Sequence, residues 1–422
     1  MAPPLQRITL SERDQACLHG DLGAGVALAA RVVRAVATAM RAPRLIDIEG
    51  AHVDGCFYVG PVSIDFARAL VDGGATVSVP TSLNVGSVDL QHPQNWSGTE
   101  EFADRAKTLM GLYAELGCDQ TWTCAPYLLA SRPAKGSHVA WGESNAIVFA
   151  NSVLGARTQR YGDFVDIAAA VLGRAPYAGL HTDEGRLGQV LIDVGGLPAD
   201  VLAREAFFPV LGHLVGQWCG GRIPVLDGIP RATEDQLKAF GAACASTGAV
   251  ALFHVVGVTP EAPTQAAAFG DRPPQRVIPV TVEDLRRAWS ELSTRQGGVL
   301  AAVCVGTPHF SIDEFHTLAK LLDGRRVDPA TPLYVNAGRW VYREVERSGL
   351  AETLTAAGVR VVTDTCTYNT PIMGRLDGLV MTNSAKWAWY APKNIGVDVL
   401  FADMESCVES AVSGRVADRH GF

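Results

Sequence analysis

An α/β architecture with mainly parallel sheets follows from three observations. Short β-branched runs alternate with amphipathic helical runs along nearly the whole chain. Residues with reactive side chains gather just after the strands instead of on helix faces, where a random scatter would put many of them. The 422 residues exceed one simple core, and roughly 100–200 residues per domain predicts two to three packed units.

Taken in order, Ser11 with Asp14 reads as a capping box for a short helix to Leu18. Val26 to Met40 is an amphipathic helix. Arg44 to Ile48 is a strand that empties into a loop carrying Glu49, His52, Asp54 and Cys56. Ile64 to Val71 is a helix, and Ala75 to Val79 is a strand that empties into Ser82 and Asn84. Glu100 to Leu116 is helical. A β-type run, Thr121-Trp122-Thr123, breaks at Cys124-Ala125-Pro126 and opens the stretch to Asp163 that carries the densest set of polar groups: His138, Trp141, Glu143, Ser144 and Asn145. An apolar helix, Ala146 to Leu154, stops at Gly155.

Further on, strands are expected at Val190 to Val194, Arg222 to Leu226, Val250 to Val256, Val299 to Val305, Leu333 to Val335, Arg360 to Thr363 and Gly378 to Met381. Helices fall between them, and a last one lies near Ser406 to Ala411. The Pro/Gly-rich loop Gly257 to Pro274 reads as an internal boundary or a lid. His309, Asn336, Cys366, Ser384 and Lys386 each follow a predicted strand.

Composition narrows the function. Hydrophobic content is 48%, charged content 19% and net charge -8. That is globular, and it lacks the basic stripe of a nucleic-acid binder. The N-terminus lacks the basic start and apolar core of an export signal, and no apolar run reaches a membrane span of about 18 residues. Nine scattered cysteines without a CxxC pair read as reduced thiols in a cytoplasmic protein. Cys17, Cys118, Cys219, Cys244 and Cys407 sit on expected helices or their ends and read as structural. The glycine-rich run His19 to Gly25 lies between helices and has neither GxGxxG nor a Walker lysine, which argues against nucleotide binding.

Three chemistries compete. A thiolate-bound iron–sulfur cluster needs soft ligands on rigid strand ends, and Cys56, Cys124 and Cys366 are so placed. A cysteine nucleophile, Cys124 with His138, lacks any local hydrolase signature. A non-catalytic or electron-carrying cluster protein would not need so many polar groups at strand ends.

The ordered set His52-Val-Asp54-Gly, Pro80-Thr-Ser82-Leu-Asn84, Thr123-Cys124-Ala-Pro126-Tyr127, Trp141-Gly-Glu143-Ser-Asn145, Asn151-Ser-Val-Leu-Gly155-Ala-Arg157-Thr158, Gly306-Thr307-Pro-His309, Asp364-Thr-Cys366 and Ser384-Ala-Lys386-Trp387 resembles the large-subunit part of aconitase X. The resemblance runs over nearly the whole chain. It implies an aconitase-like arrangement of three-layer α/β/α units around an iron–sulfur site, with approximate units 1–200, 201–298 and 299–372 and with 373–422 returning to the first. It implies a dehydratase acting on cis-3-hydroxy-L-proline, giving Δ1-pyrroline-2-carboxylate, or alternatively on mevalonate 5-phosphate. It also implies a small swivel domain, expected here as a separate subunit of a heterodimer.

The phosphomevalonate branch resembles Gly-Cys-Pro-His where this chain has Gly306-Thr307-Pro308-His309, and Cys56 stands in the His52 loop instead. That resembles the hydroxyproline branch, with a [2Fe–2S] type of cluster. Cys124 and Cys366 are then the firm ligands, with Cys56 third and Cys304 in reserve, since Cys304 is expected to point into sheet packing. Lys386, Glu143 and His52 are the candidate bases in this chain, and the resemblance implies a swivel-domain serine or other group as an equal alternative. Ser82, Asn84, Asn145 and Ser384 are expected to position the substrate.

Overall fold

The computed structural model describes residues 8–419 and 421–422. Fourteen strands fall into four sheets among the described residues. The first unit holds β1 (Leu45–Asp47), β2 (Ala51–Val53), β3 (Thr81–Leu83), β4 (Ala140–Trp141) and β5 (Arg174–Pro176). Its parallel sheet has the order β3-β2-β4, and β1 and β5 form a separate antiparallel pair. Around them pack α1 (Glu12–His19), α2 (Ala24–Ala39), α3 (Pro61–Asp72), α4 (Glu100–Glu115), α5 (Ser144–Phe149) and α6 (Val165–Leu172). The capping box at Ser11 forms as expected. In α2, Ala29, Ala30, Val33 and Ala37 recur at helical spacing, and all four are buried in the core of this unit.

The second unit is one parallel sheet, β6 (Val190–Asp193), β7 (Pro224–Asp227), β8 (His254–Val255) and β9 (Arg276–Pro279), in the order β8-β7-β6-β9. Its helices are α7 (Ala199–Leu202), α8 (Phe207–Cys219), α9 (Glu234–Gly248), α10 (Gln265–Phe269) and α11 (Val282–Glu291). The expected boundary at residue 200 is not met, because β6 is already hydrogen-bonded into this sheet. The Pro/Gly-rich loop is not bare either, since α10 lies in it, capped by Thr264.

The third unit is a five-stranded parallel sheet of β10 (Leu300–Val305), β11 (Leu333–Asn336), β12 (Arg360–Val362), β13 (Leu379–Thr382) and β14 (Asp398–Phe401). The order β12-β11-β10-β13-β14 reverses direction at β10. Helices α12 (Ile312–Leu322), α13 (Arg339–Arg347), α14 (Leu350–Ala356), α15 (Ala385–Asn394) and α16 (Met404–Ser413) cover it. Residues 373–422 therefore do not return to the first unit as expected. Their strands pair with β10 and complete its sheet. Side-chain alternation along β10 splits the core: Ala302 and Cys304 join the large cluster shared with the second unit, and Val303 and Val305 join the outer one.

Three local expectations fail near the site, the first being that His52 lies within strand β2 and not in a loop. Residues 75–79 form no strand, and the chain pairs at Thr81–Leu83 instead, where Ser82 lies opposite His52. Residues 121–123 form no strand because Trp122 is left-handed, φ 44°, which turns the chain toward Cys124.

Candidate metal centre and buried acid–lysine pair

Parallel strands that stop together leave their following residues side by side. In the first unit, β3, β2 and β4 end at Asn84, Asp54 and Gly142-Glu143. Asn84 Nδ2 donates to Asp54 Oδ1 and, at 3.2 Å, to Glu143 Oε2. Glu143 caps α5. Its Oε1 accepts from Asn145 N at 3.2 Å and Asn145 Nδ2 at 2.8 Å. Asn145 is fixed in turn by the Cys124 carbonyl, 2.9 Å, and by Tyr127, whose hydroxyl donates to Asn145 Oδ1 at 2.8 Å.

The third unit faces these groups with its own strand ends. His309 follows β10, Cys366 follows β12, and Ser384 follows β13 as the N-cap of α15. Lys386, in the first turn of α15, donates to Glu143 Oε1 at 2.5 Å. Both residues are buried, and each governs the other. Burial works against the Glu143 charge, but the Lys386 ammonium outweighs it and holds the carboxyl well below the usual range. Burial equally opposes the Lys386 charge, and Glu143 pushes its pKa well above the ordinary lysine value. The resting pair is a carboxylate and an ammonium ion.

Beside the pair lie Cys124, His309 and Cys366, all buried, with their donor atoms within 4.8 Å of one another. His309 Nδ1 faces Thr123 Oγ1 at 3.1 Å, which leaves Nε2 directed to Cys366 Sγ at 3.7 Å. The His309 backbone N–H points to Cys124 Sγ at 3.3 Å. Burial lowers the His309 pKa to about 4, so the imidazole is neutral and free to ligate. Burial would raise the Cys124 thiol, but the Cys366 hydrogen bond and the Lys386 charge prevail and lower it. Cys366 is raised, first by that same shared hydrogen bond. The shared hydrogen bond thus shifts the two thiols in opposite directions, Cys124 down and Cys366 up.

The structure brings together Cys124, Cys366, Glu143, Lys386, Asn84 and Asn145. It departs from the expected ligand set at Cys56, whose Sγ faces the carbonyls of Asn84, Val53 and Val85 at 3.4, 3.5 and 3.7 Å and lies outside the triangle. Cys304 Sγ rests on Met373 Sδ at 3.1 Å, in sheet packing. His309 is the third donor of the candidate group. Its signal was the Pro-His step directly after a strand, in a motif whose imidazole the reading of sulfur donors passed over. His52 is fully buried and neutral, with its pKa lowered to about 3 by burial, and its Nδ1 meets Ser82 Oγ at 2.8 Å. Ser384 Oγ caps α15 by accepting from Trp387 N at 3.0 Å and donates to the Thr307 carbonyl, so its hydroxyl is committed to structure.

Two thiols and a neutral imidazole, buried and convergent, suit a borderline-soft transition metal. Fold and site together define a multi-unit α/β protein with a candidate Cys₂His metal site beside a buried acid–lysine pair. Three family models match in series: the aconitase X first domain over residues 7–184, the second over 188–290 and the third over 300–413. The chain belongs to the aconitase X family. It is 46% identical over 406 residues to the cis-3-hydroxy-L-proline dehydratase of Pseudomonas aeruginosa, covering 95% of this chain and 70% of that protein. It is 35% identical over 403 residues to the phosphomevalonate dehydratase large subunit of Methanothermobacter thermautotrophicus, covering 94% and 97%. The crystal structure of Thermococcus kodakaraensis aconitase X in its holo-form superposes with a TM-score of 0.87 at 33% identity, covering 96% of this chain and all of that one.

Proposed function

We propose that this chain is the large component of a hydro-lyase that removes water from cis-3-hydroxy-L-proline and yields Δ1-pyrroline-2-carboxylate. The observation that carries the substrate is the identity gradient. The hydroxyproline dehydratases of P. aeruginosa and Hypocrea jecorina are 46% and 41% identical to this chain, against 35% for the phosphomevalonate enzyme of M. thermautotrophicus. Mevalonate 5-phosphate is the second reading. The cofactor of this reading is an iron–sulfur cluster of the [2Fe–2S] type held by Cys124, His309 and Cys366. Such a centre, when bound, supplies a Lewis acid for the substrate carboxylate or the leaving hydroxyl.

The chain's own residues supply proton chemistry. Glu143, ionised at rest, is the base for the α-proton at C2. Paired with Lys386 it is a weak base. A substrate carboxylate that engages the Lys386 ammonium draws the cation away and raises the Glu143 pKa when a base is needed. His52, whose pKa burial lowers to about 3, is too weak a base to take the α-proton. Its role is to orient Ser82. Asn84 and Asn145 hold the Glu143 carboxylate toward the substrate. The cavity that reaches Lys386 measures only about 40 Å³, little more than one water molecule's share of the liquid. A small swivel subunit is the partner proposed to complete the substrate site, as the large-subunit names of relatives suggest. Nine free, buried cysteines suit a reducing compartment, and the reading includes a cytoplasmic setting.

The test is product formation from cis-3-hydroxy-L-proline, followed with o-aminobenzaldehyde, by the chain with and without its small partner. Turnover is expected only with the partner and only with this substrate. Turnover of mevalonate 5-phosphate instead would transfer the assignment to the second reading.

A further inference from the structure

We propose that Asp166 is a positioning residue of the reaction centre, holding the Asp54 turn and the Glu143 loop together so that Glu143 meets Lys386. The proposal rests on the reading that Glu143 takes part in the reaction.

Asp166 is fully buried in the first turn of α6, and its two oxygens are divided between two elements. Oδ1 accepts from Ile167 N at 2.7 Å, which ties the carboxyl to its own helix. Oδ2 accepts from Asp54 N at 2.6 Å, which ties it to the end of β2. The same Oδ2 occupies the space over Gly142. A Cβ built at residue 142 would lie 2.4 Å from it and 3.1 Å from the Asp54 Cβ. Only glycine lets the end of β4 settle onto this carboxyl, and Glu143 is the next residue. Asn84 closes the third side, bonding both Asp54 and Glu143. One side chain thus sets the spacing of the β2 and β4 ends, and Asn84 bridges the two residues that follow them.

The groups that face Asp166 and Asp54 are Glu143, Asp163, Tyr113, Cys56 and Cys118. Lys386 is the cation of the neighbourhood, and Glu143 already holds it. Burial first, with Asp163 adding to it, raises the Asp166 pKa to about 7. A buried acid in acidic company costs stability. Asp166 also has no place among the groups assigned to the substrate.

The test uses the enzyme reconstituted with its partner. Asp166→Asn keeps the size of the side chain but offers one acceptor oxygen to two N–H donors. Gly142→Ala keeps Asp166 and pushes the loop from the other side. Each is expected to lower kcat by roughly tenfold or more, the penalty for misplacing a catalytic group by a fraction of an ångström to one. KM should stay within about twofold and iron per chain should be unchanged. The double variant is expected to be no slower than the slower single variant, because both break one contact. Wild-type kcat in Asp166→Asn, or losses that multiply in the double variant, would overturn the proposal. Should Asp166→Asn not fold, Gly142→Ala alone decides, and wild-type kcat there overturns it too. Glu143→Gln separates the two levels. A fully active Glu143→Gln sinks the reading of Glu143 itself, whereas an inactive Glu143→Gln beside a fully active Asp166→Asn sinks only the positioning role.

Discussion

Lys386 is the residue whose loss the molecule should feel most. Lys386→Met leaves the Glu143 carboxylate buried without its cation, a change that costs about 3–5 kcal/mol for a buried pair. Denaturant unfolding should show this as a lowered midpoint, and Lys386→Met with Glu143→Gln should recover most of it. If the single and double variants unfold alike, the pair contributes little. The ligand set gives a second prediction at this scale. Cys124→Ser, Cys366→Ser and His309→Ala should each lose iron and visible absorbance, while Cys56→Ser and Cys304→Ser retain both. Retention of iron in His309→Ala with loss in Cys56→Ser would restore the sulfur-only set expected from the sequence. The two sulfurs of the candidate centre were legible because each stands in a short ordered motif. The imidazole was not, because its proximity to Cys124 depends on a contact between units that no local spacing reveals.

At the scale of elements, helices were more legible than strands, for a physical reason. The capping boxes at Ser11, Thr233, Thr281 and Ser311 mark helix starts chemically. Strands such as Ala140–Trp141 and His254–Val255 have two residues, too few to show alternation. Helix α15 escaped notice because Pro392 interrupts its pattern. The crossing of α8 on α9 yields a prediction of its own. A Cβ at Gly216 would lie 2.0 Å from Thr247 Oγ1 and 2.9 Å from the Cys244 carbonyl. Gly216→Ala should therefore destabilise by about 1–3 kcal/mol, the usual cost of overpacking, while activity per folded molecule holds. A variant as stable as the wild type would mean that the two helices can move apart freely.

At the scale of the whole molecule, the first and third units are joined at a buried node. Asp89 accepts from Thr363 N and Thr363 Oγ1, each at 2.9 Å, and His92 Nδ1 stands 3.0 Å from Asp89 Oδ2. The hydrogen bond with Asp89 raises the His92 pKa above its ordinary 6.5. Burial opposes the Asp89 charge, yet the bonds from His92 and Thr363 prevail and lower its pKa. A raised histidine contributes stability that is complete below about pH 6.5 and fades as pH rises through the folded value. A lowered aspartate contributes above its ordinary 3.8 and fades as pH falls. The node should thus be strongest in mildly acidic solution. Thermal unfolding between pH 6 and pH 8 should weaken more in the wild type than in His92→Gln, and equal slopes would show that the node carries no such dependence. The multi-unit plan was legible from the alternation of strands and helices. The unit boundaries were not, because long-range strand pairing, Leu300 with Leu379, decides that β13 and β14 complete the sheet of β10.

Glu143 and Lys386 are separated by 243 positions in the chain. A ribosome adding about 5–20 residues each second leaves Glu143 waiting on the order of 10–50 s for its counterion. Throughout that interval the first unit is a newborn body with a raw face: three acidic or amide strand ends, an unshielded Cys124, and apolar surface meant for the other units. Metal delivered then would find one sulfur and no cage. The order of synthesis therefore dictates the order of maturation. On the iron–sulfur reading proposed above, the completed fold receives the iron, and pulse-labelled cells should hold the full-length chain in an iron-free form before any iron-bearing one.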